Sequence, residues 1–248
     1  MITAYDSLTA NAAVNANADI LLVGDSVATV CLGYESTAEL TFDEFKHHVN
    51  AVLRKSKDVP VVADITYDLT QSNQNLLDGA DYLMRRGCGA VKLEFSEFYA
   101  EQTRLLTDHQ IPVIGHIGIT PQTTLNGQPL KALGKTDEET DKLLHAAGKF
   151  QDAGASMLVV ECVVAEAVNK IRETVSIPLI GIGSGMHCDG QVLVFHDIIG
   201  WNNGFKAKFT RAFFESEPYI EKALQQYVEA VHNSEFPTEL NTYRKPGK

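Results

Sequence analysis

Ser156-Met157-Leu158-Val159-Val160-Glu161 is the stretch that decides the fold class. Its apolar residues follow one another without the polar alternation of a half-exposed strand, so both faces need cover, as in a parallel sheet flanked by helices. A carboxylate ends the run. Pro60-Val61-Val62-Ala63, closed by Asp64, has the same form. Short β-branched runs of this kind recur near residues 1–5, 20–24, 59–64, 89–94, 111–116, 156–162, 177–182 and 191–196. The segments starting near 41, 72, 97, 137 and 164 have the character of amphipathic crossover helices, and two more helices are expected between about 211 and 233. Eight strand runs in 248 residues point to an α/β fold, a (β/α)8 TIM barrel with C-terminal helices. An open doubly wound sheet is the structural alternative.

No internal repeat, low-complexity tract or Pro/Gly/Ser-rich linker divides the chain. A single catalytic barrel domain is therefore expected over residues 1–236, with a polar tail over 237–248 that carries Pro246-Gly247 and frays or lies on a neighbouring subunit. The stretch from Thr120 to Lys135, with two prolines and two glycines, reads as a long functional loop.

Composition narrows the function. Lys and Arg total 21 against 32 Asp and Glu, a formal charge of −11, which disfavours nucleic acid as a partner because phosphate neutralisation needs a basic surface. With 44% hydrophobic and 21% charged residues and no long apolar run, the chain reads as globular rather than membrane-spanning. The cysteines at 31, 88, 162 and 188 form no C-x-x-C pair, so reduced thiols in a cytoplasm fit better than a zinc site or a disulfide framework. The first residues show no secretory or transit pattern, and a cytoplasmic location is expected.

Five strand runs end in an ionisable residue: Asp25, Asp64, Glu94, His116 and Glu161. In a parallel barrel the C-terminal strand ends open on one face, where active sites sit. Taken singly, Asp25 or Asp64 could equally be a helix N-cap, and the whole set could be solvated loop carboxylates. Converging, four carboxylates would repel one another unless a cation intervened, and only Lys92 is near in sequence. A divalent metal answers that need, and an all-oxygen donor set favours Mg2+. Lys92 and Glu94 lie two apart on a strand and so share a face, either as a structural ion pair or with the lysine binding substrate. Gly181-Ile182-Gly183-Ser184-Gly185 lacks the third glycine of a dinucleotide fingerprint and reads as a tight turn or a close backbone approach to a ligand. His47-His48 is expected on a helix surface, and neither it nor His187-Cys188 reads as a metal site.

These strand ends resemble the ketopantoate hydroxymethyltransferase family, which opens pantothenate biosynthesis. The resemblance runs from Thr3-Ala4-Tyr5-Asp6 to about Phe209. It is carried in order by Val23-Gly24-Asp25-Ser26, Ala63-Asp64, Val91-Lys92-Leu93-Glu94, Gly115-His116-Ile117-Gly118-Ile119-Thr120-Pro121-Gln122, Val160-Glu161-Cys162, the glycine run, and Asp189 to Asp197. It implies a barrel of the phosphoenolpyruvate/pyruvate type, Mg2+ dependence, 5,10-methylene-tetrahydrofolate as one-carbon donor, 3-methyl-2-oxobutanoate as acceptor and commonly a decamer. On this chain it implies Asp25, Asp64 and Glu94 as metal carboxylates. Asp25, Ser26, Asp64, Lys92 and His116 would meet the 2-oxoacid, and Glu161 would be the catalytic acid/base.

Departures from the family pattern fall in loops. Asp64-Ile65-Thr66-Tyr67 stands where Asp-Leu-Pro-Phe is usual, Gly127 to Gly134 replaces a Gly-Gly-Tyr-Lys-Val-Gln-Gly stretch, and Asn241-Thr242-Tyr243 stands for His-Ser-Phe/Tyr. These changes leave the carboxylates untouched and bear on the oxoacid and the donor. Two other readings compete: a Mg2+-dependent 2-oxoacid C–C lyase of the same superfamily, and a catalytically impaired barrel that binds a metabolite.

Overall fold

The structure, a computed structural model, describes residues 1–94, 96–122, 131–202 and 207–245. Eight parallel strands, β1 (Ile2–Thr3), β2 (Leu21–Val23), β3 (Val61–Asp64), β4 (Ala90–Glu94), β5 (Val113–Gly118), β6 (Met157–Glu161), β7 (Leu179–Ile182) and β8 (Gly190–Gln191), pair in sequence order. Past β8, Leu193 pairs in parallel with Ile2, and Thr3 N–H donates to the Leu193 carbonyl at 3.2 Å, so the sheet curls back onto its first strand. This is the (β/α)8 barrel. A doubly wound sheet would reverse its strand order at a switch point, and this order never reverses.

The helices follow local rules. In α2 (Phe42–Leu53) Thr41 and Glu44 form a capping box, and Phe45, Val49 and Val52 bury one stripe. After α3 (Asn73–Arg86) and α4 (Tyr99–Asp108), α5 (Asp137–Asp152) opens with Asp137, Glu138 and Glu139 at its positive end, and α6 (Ala165–Thr174) follows β6. Three features differ from the sequence reading. Helix α1 (Ser7–Asn15) was not expected, because it buries only Thr9, Ala10 and Ala13 and so carries no apolar stripe; an Asp6–Thr9 capping box starts it. The run near 191–196 gives only the short β8, and a short helix α7 (Phe195–Ile199) takes its end. Where two C-terminal helices were expected, the described residues form one, α8 (Glu217–His232). Pro246-Gly247 and half of the Thr120–Lys135 loop, residues 123–130, lie outside the described residues.

The chain divides into two compact units, Met1–Phe195 with Lys206–Thr210, and His196–Phe205 with Arg211–Lys248. In the second, Phe213 N–H donates to the Ile198 carbonyl at 2.8 Å, Phe214 stacks on Tyr219, and α8 has no buried residue. Among the described residues no helix is long and apolar enough to cross a membrane. In the first unit, two large apolar clusters fill the space between strands and helices. A third holds Leu22, Val62, Ala90, Ile114, Val159, Ile180 and Val192, one from each of β2 to β7 and one past β8. That ring fills the barrel interior. It is also the floor of what lies above it.

Candidate active site

Side chains alternate along a strand, so the residue two positions past each member of the apolar ring faces the same interior, one layer higher. From Val62, Ala90, Ile114 and Val159 that step reaches Asp64, Lys92, His116 and Glu161. Strand register then sets the neighbours: Asp64 pairs with Lys92, Glu94 with His116, and Gly118 with Glu161. Asp25, two residues past β2, joins through its main-chain N–H, which donates to Asp64 Oδ2 at 2.9 Å. All of these side chains are buried except Glu161, which is 16% exposed and is the one that opens to solvent.

Neither aspartate caps a helix. The turns after β2 and β3 have Val27 and Thr66 at their N-caps with no side-chain bond. The carboxylates are instead spent on one another's surroundings. Lys92 Nζ lies 3.2 Å from Asp64 Oδ1 on the neighbouring β3 and 3.8 Å from Glu94 Oε1 on its own strand. His116 spans two acids, with Nδ1 3.2 Å from Glu94 Oε1 and Nε2 3.2 Å from Glu161 Oε2. Lys92 Nζ is also 3.2 Å from His116 Nδ1, so that nitrogen accepts from the ammonium when the ring is neutral and donates to Glu94 when it is charged.

Burial and mutual charge tune the cluster. Burial raises Asp25 well above the usual carboxylate range, and the negative charges of Asp64 and Glu94 raise it further. Burial also raises Asp64 despite the pull of Lys92. Glu94 is pushed up by burial, but His116, Lys92 and a backbone N–H outweigh this and hold it low. Burial and Lys92 push His116 down, while Glu161 and Glu94 lift it more strongly, to about 9. Lys92 stays charged because Asp64, Glu94 and Asp25 overcome its desolvation.

Glu161 is aimed by backbone. Gly118, its register partner, has φ +100°, and a β-carbon there would run into the Glu161 carbonyl. Cys162 then adopts a left-handed φ of +52°, which turns the chain off the barrel rim. Leu133, on the far side of the long loop, donates its N–H to the Cys162 carbonyl at 2.8 Å and so returns the loop beside Glu161. In the glycine run, Gly183 has φ +65°, and any side chain would meet the Phe209 ring, so close packing and a tight turn explain it.

Ser26 sits at the same rim, its Oγ 2.8 Å from the hydroxyl of buried Tyr5. The Tyr5 carbonyl is in turn 2.7 Å from His48 Nδ1, so His48 is half-buried and tied to the barrel, unlike exposed His47. Tyr5 and Gln122 are the residues that sequence reasoning left without a role. Each was visible only as a polar residue inside a strand-end motif.

A divalent cation can be tested against this donor set. With all six groups charged, Asp25, Asp64, Glu94 and Glu161 face Lys92 and His116 as the cations among the described residues, which leaves two negative charges in excess. Asp64 Oδ1 and Glu94 Oε1 are buried and lack aligned hydrogen-bond donors. Among the described residues no three His, Cys, Asp or Glu side chains stand ready-made as a metal cage. Mg2+ usually takes one or two protein carboxylates and keeps waters or substrate oxygens, so the set fits such an ion.

Comparison with known proteins decides the family. The family description matching residues 1–239 is ketopantoate hydroxymethyltransferase. The chain belongs to that family. Its relatives include the 3-methyl-2-oxobutanoate hydroxymethyltransferases of Carboxydothermus hydrogenoformans, 43% identical over 98% of this chain and 89% of the relative, and of Thermotoga maritima, 40% identical over 100% and 92%. That of Thermus thermophilus is 39% identical over 98% and 93%. The chain is an enzyme of the hydroxymethyltransferase class. Solved structures of the same fold include phosphoenolpyruvate phosphomutase from Streptomyces platensis subsp. rosaceus, with a TM-score of 0.64 at 15% identity over 94% of this chain and 82% of that one. A phosphonopyruvate hydrolase in complex with oxalate and Mg++ gives 0.62 at 11% identity over 97% and 87%.

Proposed function

We propose that the chain transfers a one-carbon unit from 5,10-methylene-tetrahydrofolate to C3 of 3-methyl-2-oxobutanoate, giving 2-dehydropantoate, with Mg2+ as cofactor. The observation that carries this reading is the position of Glu161. It is the least buried acid of the cluster, next to His116, Lys92 and the carboxylates.

The chemistry needs a base, positive charge for the developing enolate and a hold on the carboxylate end of the oxoacid. Glu161 takes the C3 proton, and His116, 3.2 Å away, steadies its carboxylate before and accepts the new balance of charge after. Lys92 brings a fixed positive charge into a water-poor site, where it weighs more than it would in solvent. Ser26, oriented by the Tyr5 hydroxyl, meets the substrate carboxylate. Of Asp25, Asp64 and Glu94, one or two would hold Mg2+ directly and the rest through its waters, and the ion would supply Lewis-acid stabilisation of enolate charge when bound. The folate methylene opens from one nitrogen to an iminium ion, water adds to it as the second nitrogen leaves, and the enolate carbon bonds to the formaldehyde so released, whose oxygen takes up a proton to become the hydroxyl. The oxalate and Mg++ complex of the phosphonopyruvate hydrolase shows that this fold accommodates such a pair in that protein.

Incubation of the purified chain with Mg2+, 3-methyl-2-oxobutanoate and methylene-tetrahydrofolate is expected to yield 2-dehydropantoate. Proton exchange at C3 without product would leave only the enolisation half of the reading. Absence of both product and exchange would make the chain a metabolite-binding barrel.

The working unit is proposed to be a homo-oligomer, as the family resemblance implies. Helix α8 supports this, since it buries no residue and exposes Tyr219, Leu224, Tyr227, Val228 and Val231. Sedimentation equilibrium is expected to give a mass that is a multiple of the 27.2 kDa chain, and a monomer at micromolar concentration would refute it.

A further inference from the structure

One residue laces the cluster together from outside the strands. Gln122 lies in the turn after β5, is 9% exposed, and spends every donor it has on the site. Its side-chain amide donates to Asp25 Oδ2 at 2.7 Å and to the Ile65 carbonyl at 2.8 Å. Its main-chain N–H donates to Glu94 Oε2 at 3.1 Å. The ends of β2, β3 and β4 are thus held by a single side chain and its own backbone.

The direction of the amide follows from its partners. A carboxylate oxygen and a main-chain carbonyl are both acceptors, so only the NH2 end of Gln122 can face them, and a flipped amide would oppose oxygen to oxygen. The same reasoning excludes glutamate as a functional equivalent. It would fill the same volume while setting a carboxylate against two acceptors and adding charge to a cluster already short of cations. Asp25 has no other side-chain donor among the described hydrogen bonds, so the amide alone fixes its rotamer, while Asp64 and Glu94 are also braced by Lys92.

We propose that Gln122 is a positioning residue that fixes Asp25 and Glu94 in the orientation from which they hold the divalent cation and its oxoacid. This rests on the function proposed above. Outer partners of metal-binding carboxylates carry about 10- to 100-fold of metal affinity in other sites, and the same scale applies here.

The test is calorimetric titration of the full-length chain with Mg2+ in the presence of oxalate, together with kcat and KM for the oxoacid. Wild type is expected to bind. Gln122→Met, which keeps length and the main-chain N–H to Glu94 but loses both side-chain donors, is expected to bind Mg2+ about 10- to 100-fold more weakly, with a raised KM for the oxoacid. Gln122→Glu is expected to lose at least as much despite its matching shape, because it has the volume without the donors. A merely structural role would lower the melting temperature of both variants yet leave the affinity of the folded fraction unchanged, and that result overturns the proposal. Failure of both variants to fold would equally count against a positioning role. A wild-type chain that binds no Mg2+ overturns the functional reading itself and this inference with it.

Discussion

Glu161→Gln is expected to slow exchange of the C3 hydrogen of 3-methyl-2-oxobutanoate by on the order of 10²- to 10⁴-fold, the usual worth of a positioned general base. The substitution preserves shape and a hydrogen-bonding oxygen for His116 Nε2, 3.2 Å away, so the barrel and oxoacid binding are expected to survive. Exchange is followed by proton NMR in D2O without folate, which isolates enolisation from one-carbon transfer. A variant that exchanges at the wild-type rate would remove Glu161 from this step and assign the proton to another group. The amide cannot take up a proton, so the loss belongs to basicity rather than to contact.

The second large effect is on stability. Lys92 is 4% exposed and is the one lysine or arginine that the described ion pairs place in the cluster. Its replacement by methionine leaves Asp64 and Glu94 buried without their ammonium partner. Breaking a buried pair in this way costs about 3–5 kcal/mol, because an uncompensated charge is left in a poor solvent for charge. For a chain of this size that corresponds to a fall in melting temperature on the order of 10 °C. Added Mg2+ is expected to recover more of the loss in the variant than it adds to wild type, since a cation replaces the missing charge. Equal melting temperatures in EDTA would show that the carboxylates do not depend on Lys92. Catalysis is expected to fall in the same variant, because the enolate loses its fixed positive neighbour.

Much of this was legible in the chain. Runs such as Val61 to Asp64 and Met157 to Glu161 carry their strand identity in unbroken apolar residues, and parallel pairing places their polar ends together without further information. The same period of two that fills the interior with Val62, Ala90, Ile114 and Val159 lifts Asp64, Lys92, His116 and Glu161 above it. What escaped had no period. Helix α1 buries small residues, so its stripe is too faint to read, and its start is set by one capping box. Gln122 reaches Asp25 across 97 residues of sequence, and Tyr5 reaches Ser26 from the end of β1 to the end of β2. A local window shows each as an isolated polar residue. Only the register of several strands gives it a partner.

The claim at the centre is that buried carboxylates gathered at one barrel mouth, together with a divalent cation and Glu161, loosen a carbon-bound hydrogen of a 2-oxoacid. Proton NMR of 3-methyl-2-oxobutanoate in D2O with the wild-type chain tests it most directly. The C3 signal is expected to vanish with Mg2+ present, to persist after the chain is stripped with EDTA, and to vanish again when Mg2+ is returned. Exchange at an unchanged rate in the stripped chain, or no exchange under any condition, would contradict it.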